Sequence, residues 1–131
     1  MIVLDASAVI ELLLRTVRGE LVEALIEDPD VTLHAPHLLD VEVTQVLRRL
    51  SRTGTISSKR ATLALDTFGD LRISRYEHSP LLKRAWALRD ALSAYDACYV
   101  ALAEAIDARL VTFDEQLARA KHRAVTIVPR R

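Results

Sequence analysis

The sequence carries one cysteine, Cys98, so no internal disulfide can form and the chain is held together by burial alone. That suits a reducing compartment, and Cys98 itself lies in an apolar helical run where a small buried residue is expected. Glycine is also scarce. Gly19, Gly54 and Gly69 stand alone, so neither a G-x-G-x-x-G turn nor a GK[ST] phosphate loop exists, and dinucleotide-binding and P-loop chemistries are excluded. His34, His37, His78 and His122 are dispersed and never pair with a second histidine or a cysteine at ligand spacing, which excludes a zinc site of the usual nitrogen and sulfur kind. No stretch approaches the roughly 20 apolar residues of a membrane-spanning helix. Residues 1–14 lack a basic start and hold Asp5 and Glu11 within the apolar run, unlike a secretory signal. The expected location is therefore cytoplasmic. Net charge is zero with histidines neutral, so no global field draws in a polyanion.

What remains is a chain of 131 residues, half of them apolar, a size that fits a single domain spanning 1–131. Ile2 to Leu4 reads as a buried strand, with Ser7 as cap of a helix running to about Arg15. Residues 19–28 follow as a second helix, and Val31 to His34 as a second strand. Pro36 sits where a third helix would begin. In that helix Leu39, Val43, Val46, Leu47 and Leu50 form one apolar stripe. Ser57 caps a helix over 58–68, Leu71 to Ser74 is a third strand, and 80–92 is a helix with Trp86 as a core or interface anchor. Ala94 to Ile106 is strongly helical, Leu110 to Phe113 a fourth strand, 115–121 a short helix and Val125 to Val128 the last strand. Such alternation predicts a three-layer α/β/α sandwich with a mostly parallel central sheet.

Four acids stand at or near the seams of these elements. Asp5 follows the first strand, Glu42 lies early in the helix after Pro36, Asp96 opens the helix at 94, and Asp114 follows the fourth strand. In open α/β sheets, ligands bind at the carboxyl ends of the strands, where strand order reverses. Converging carboxylates repel one another and need a counter-charge, which a hard cation with oxygen ligands, such as Mg²⁺, supplies. Each acid also has a simpler reading. Asp5 and Asp114 can cap the next helix, and Ser93 with Asp96 forms an S-x-x-D capping pattern. Glu42 can pair with Arg49 or a neighbouring helix, and Asp40 borders the same apolar stripe, so periodicity does not choose between the two acids. Arg48, Arg49, Arg52, Lys59 and Arg60 cluster around Gly54, as a phosphate-contacting rim on one side of the acids or as a solvated helix face. No aromatic residue interleaves with them, which leaves base stacking unsupported there.

The segments MIVLDASAVIELLL, APHLLDVEVTQVLRRL, LSAYDACYVALAEAI and LVTFDEQLARA, in this order, resemble the PIN-domain ribonucleases, and in particular the VapC-type toxins of bacterial toxin–antitoxin pairs. The resemblance runs along almost the whole chain. It implies that Asp5, Glu42, Asp96 and Asp114 form the family's acidic quartet, both catalytic and metal-ligating, with Ser7 and Thr112 as supporting hydroxyls. It implies Mg²⁺-dependent cleavage of single-stranded or looped RNA, with Mn²⁺ able to substitute. A water made more acidic by the metal would attack the phosphodiester in line, leaving 5′-phosphate and 3′-hydroxyl ends. It also implies a cognate antitoxin partner, a homodimer and a higher toxin–antitoxin complex. Gln45 departs from the Asn many relatives carry at that position. Two rivals remain: a catalytically silent PIN-fold binding module, and a phosphoaspartate phosphatase or receiver domain. The phosphatase would need an acid where Ser7 stands, and the receiver a Lys after the last strand, where Val125 to Pro129 has none.

Overall fold

A computed structural model describes residues 1–130. The chain begins with β1 (Ile2–Leu4), whose three side chains are all fully buried. Burial on both faces is what a central parallel strand requires, and it explains the unbroken apolar run. Helices α1 (Ala6–Leu13) and α2 (Val17–Ile26) lead to β2 (Leu33–Pro36), α3 (Leu38–Arg52), α4 (Ser58–Asp70) and β3 (Ile73–Tyr76). A 3₁₀ turn (Ser79–Leu81) and α5 (Leu82–Ala87) precede α6 (Ala94–Ala105), β4 (Arg109–Val111), α7 (Glu115–Arg119) and β5 (Thr126–Ile127). The five strands form one wholly parallel sheet in the order β3-β2-β1-β4-β5. Helices α1 to α4 pack on one another, while α6 lies on β1, β2 and β4 and carries α5. The expected α/β architecture with a parallel sheet is therefore present.

This order fixes where a site can be. The chain runs outward from β1 through β2 to β3, then crosses to β4 on the other side of β1. Strand order reverses between β1 and β4, and their registers align Leu4 with Val111. The loops leaving these two strands therefore emerge side by side, carrying Asp5 and Asp114.

Several local expectations need correction. Asp5, not Ser7, caps α1, because the Ser7 hydroxyl is committed to Asp5 and to the Phe113 N–H. Pro36 ends a strand rather than starting a helix, since it pairs with Tyr76 in the sheet. His78 Nε2 accepts the Leu38 N–H at 2.9 Å and so serves the start of α3 from outside that helix. Strands β2 and β3 begin two residues later than their apolar patterns indicate. The expected helix over 80–92 is broken into the 3₁₀ turn, α5 and a tight turn. Trp86 is 69% exposed, with the Arg89 guanidinium 4.6 Å from its ring centroid, so it is no core anchor. Cys98 is buried as expected, and Ser57 and Ser93 cap their helices as expected.

Candidate active site

The centre of the site is Asp5, only 5% exposed at the end of β1. Its Oδ1 accepts the Ser7 hydroxyl at 2.6 Å and the Ala8 N–H at 3.1 Å, and its Oδ2 accepts the Thr112 hydroxyl. Ser7 and Thr112 in turn receive the N–H groups of Phe113 and Asp114, both at 2.9 Å. The two hydroxyls thus stitch the loop after β1 to the loop after β4. Three donors converging on one carboxylate fix its orientation.

Asp114 is held by its own helix. Its Oδ1 accepts the N–H groups of Gln116 at 2.9 Å and Leu117 at 3.2 Å. The capping readings of Asp5 and Asp114 are therefore correct, and they coexist with membership of an acid cluster. Asp96 differs, because Ser93 is the cap and accepts the Asp96 N–H at 3.2 Å. The Ser93 hydroxyl also favours the charged form of the Asp96 carboxylate, against the larger push of burial.

Glu42 and Asp40 part company in three dimensions. Asp40 turns to Arg75, whose Nε lies 2.8 and 3.0 Å from its two carboxylate oxygens. Glu42 forms no ion pair among the described residues; its Oε1 accepts the hydroxyl of Tyr99 at 2.5 Å. Tyr99 is 1% exposed, three residues beyond Asp96 on α6. It was not recognisable as a site residue by motif, but the i, i+3 spacing from Asp96 places both on one helix face and was a usable signal.

The four acids act on one another electrostatically. Burial pushes the Asp5 carboxyl from 3.8 up to about 6, against the pull of its three hydrogen bonds and with a further push from Asp96. Burial also raises Glu42, opposed by the Tyr99 hydrogen bond and reinforced by Asp96. Asp96 is raised by burial and then by Asp114. The Tyr99 hydroxyl is held far above its ordinary range by burial and by the Glu42, Asp5 and Asp96 charges. Asp96 is the hub, felt by Asp5 and Glu42 and itself feeling Asp114. Among the described residues none of the four enters a salt bridge.

An uncompensated, all-oxygen group of acids is chemically suited to a hard divalent cation. The donor set fits such an ion, although among the described residues no three acidic, histidine or cysteine side chains are already drawn together tightly enough to enclose one. Asp5, Glu42, Asp96 and Asp114 are the residues that would hold it, with water filling much of the shell.

The basic residues divide. Arg49 joins Ala6, Ser7, Ile10, Glu11, Arg18, Val46, Phe113 and Asp114 in lining a groove of about 340 Å³, which Asp114 alone of the four acids reaches. Arg48 instead lines a separate groove between α3 and α4, with Thr44, Ser58 and Thr62. Arg52 is exposed in the last turn of α3, and Arg60 donates to the Leu14 carbonyl at 2.7 Å. Of the basic residues around Gly54, the fold brings Arg49 alone to this groove. Arg18, which no pattern flagged, lies there too.

Carboxylates follow β1 and β4 at the switch point of a parallel sheet, the first of them held by Ser and Thr hydroxyls, and the chain belongs to the PIN domain family, whose sequence profile matches residues 2–123. Within that family it is similar to Ribonuclease VapC9 of Mycobacterium tuberculosis strain H37Rv, 40% identical over 132 residues that cover 99% of this chain and 100% of that protein. Among solved structures it resembles PAE2754 from Pyrobaculum aerophilum, with a TM-score of 0.71 and 25% identity over 95% of this chain and 82% of that one. A toxin–antitoxin complex from Klebsiella pneumoniae shares the fold at a TM-score of 0.65 and 16% identity, covering 99% of this chain and 98% of that one.

Proposed function

We propose that the protein is a divalent-metal-dependent endoribonuclease, and the toxin of a toxin–antitoxin pair. The observation that carries this reading is the group of electrostatically coupled acids centred on Asp96, none of them ion-paired among the described residues, with Asp5 locked in place by Ser7 and Thr112. A full-length relative bearing the name ribonuclease supports the activity, and a toxin–antitoxin complex of the same fold supports the partner. Mg²⁺, or Mn²⁺ in its place, would supply acidity to an attacking water and charge to stabilise the leaving oxygen. The chain's part is positional. Ser7 and Thr112 fix Asp5, the Tyr99 hydroxyl aims Glu42, and the start of α7 fixes Asp114. Asp96, on α6, is the acid coupled to the other three, raised by burial and by Asp114 and itself pushing up Asp5 and Glu42. The same reading includes an antitoxin of small size and a homodimer.

The test uses purified protein and single-stranded RNA. Chelation with EDTA should abolish cleavage, and Mg²⁺ or Mn²⁺ should restore it. Asp96→Asn should lose on the order of 100-fold in rate or more while unfolding at the wild-type temperature. Full cleavage in EDTA, or a folded and fully active Asp96→Asn protein, would overturn the proposal. In cells, expression should arrest growth and co-expression of a neighbouring small partner should relieve it.

A further inference from the structure

Resting on the ribonuclease reading, we propose that the groove between α1, α2 and α3, floored by Phe113 and edged by Arg18 and Arg49, is the subsite for the RNA backbone adjoining the scissile bond. The groove shares Ser7 and Asp114 with the acid cluster, so a strand lying in it is already at the reactive end of the sheet. Its volume of about 340 Å³ is that of a small-ligand pocket. It admits a single strand, whereas a duplex offers a wide shallow face that needs a broad surface.

Charge supplies the argument for the occupant. A metal held by the acids would balance the phosphate being cleaved, but the next phosphate along meets carboxylates with nothing in between. The chain has no net charge, so local arginines have to provide the attraction. Arg49 is exposed on α3 and has no ion-pair partner among the described residues. Arg18 stands at the start of α2 with its guanidinium 4.1 Å from the Phe113 ring centroid and 3.6 Å from Glu11. Stacking on Phe113 fixes the plane of the guanidinium and leaves its edge to meet a phosphate, the arrangement in which arginine outperforms lysine. Glu11 also accepts the Thr16 hydroxyl, so it retains a donor when Arg18 turns to the strand. Phe113 and Glu11 are positioning residues, while Arg18 and Arg49 make the contact.

The experiment measures binding of a fluorescein-labelled single-stranded RNA, one that the unmodified chain cleaves, to the Asp96→Asn protein with and without Arg18→Gln and Arg49→Gln, singly and together. The paired change should weaken RNA binding on the order of tenfold and flatten its salt dependence by about 1.4 in log–log slope, two contacts at about 0.7 each. In the cleaving background it should raise KM more than it lowers kcat. Mn²⁺ binding to the acids and the unfolding temperature should stay as they were. Arg109→Ala removes the same charge at the opposite end of the sheet and should change none of these. Wild-type RNA affinity, salt slope and KM in folded single and paired variants would overturn the subsite while leaving the ribonuclease reading intact. So would a loss confined to binding of a partner protein, since the groove would then belong to that partner. If the unmodified chain neither binds nor cleaves RNA in Mg²⁺ or Mn²⁺, the ribonuclease reading fails and the subsite falls with it.

Discussion

Asp5→Asn should remove a pH dependence of stability that runs opposite to that of most carboxylates. In metal-free protein the Asp5 carboxyl is pushed up from 3.8 to about 6, chiefly by burial and further by the Asp96 charge. Ser7, Thr112 and the Ala8 N–H face it and pull the other way without prevailing. A group that holds its proton more tightly folded than unfolded makes folding take up a proton. Its contribution is complete below the unfolded value, declines as pH rises, and is gone above the folded one. The interval from 3.8 to about 6 corresponds to about 3 kcal/mol at ~1.4 kcal/mol per pH unit. Asn carries no charge, so the variant lacks this decline. Near pH 4 it stands in for a carboxyl that is itself protonated in the folded wild type, so the two proteins are close there, and the variant is the more stable by up to about 3 kcal/mol near pH 7. Urea unfolding in EDTA, followed by far-ultraviolet circular dichroism across that range, gives the difference between the two proteins. Glu42 and Asp96 also rise on folding, but they are present in both and largely cancel. A wild-type-minus-variant difference that stays flat through the window would refute the reasoning, because Asp5 would then be ionised at no cost.

Two further predictions concern the same neighbourhood. Glu42→Gln should keep the Tyr99 hydrogen bond and the fold yet lose on the order of 100-fold in ribonuclease rate, whereas Asp40→Asn should stay within about twofold and cost under about 1 kcal/mol, since Asp40 pairs with Arg75 at the surface; equal losses of rate would place Asp40 in the site. Gly19→Ala should lower the unfolding temperature in calorimetry despite alanine's better helix propensity, because its Cβ would lie 2.1 Å from the Glu11 carbonyl oxygen and force α2 off α1, a cost of about 1–3 kcal/mol; a raised temperature would show that the helices separate freely.

How much of this was legible depended on whether a residue's role was local. Ile2 to Leu4 could be read as a buried strand because burial on both faces leaves an unbroken apolar run. Ser57 and Ser93 could be read as caps because capping is settled within one turn. Ser7 misled for the same reason in reverse: a hydroxyl at a plausible cap position was claimed by Phe113, more than a hundred residues away. The choice between Asp40 and Glu42 was open on the helix stripe and was made by Arg75 and Tyr99, which come from β3 and α6. Arg18 gave no signal at all, since its place over Phe113 depends on how α2 meets the loop after β4. Asp5, Asp96 and Asp114 could be singled out because each stands at the start of a helix, a position that chain order alone marks.

The sheet order has a consequence for synthesis. β1 is made first but is flanked by β2 on one side and β4 on the other, so its second edge stays bare until residues 109–111 leave the ribosome. A nascent chain ending at Ala108 would already carry Asp5, Glu42 and Asp96, yet it would lack Thr112 to anchor Asp5 and Asp114 to complete the group. Parallel pairings of such separation form late in folding. A chain interrupted before β4 therefore holds three of the four acids but neither the hydroxyl that anchors the first of them nor the fourth acid.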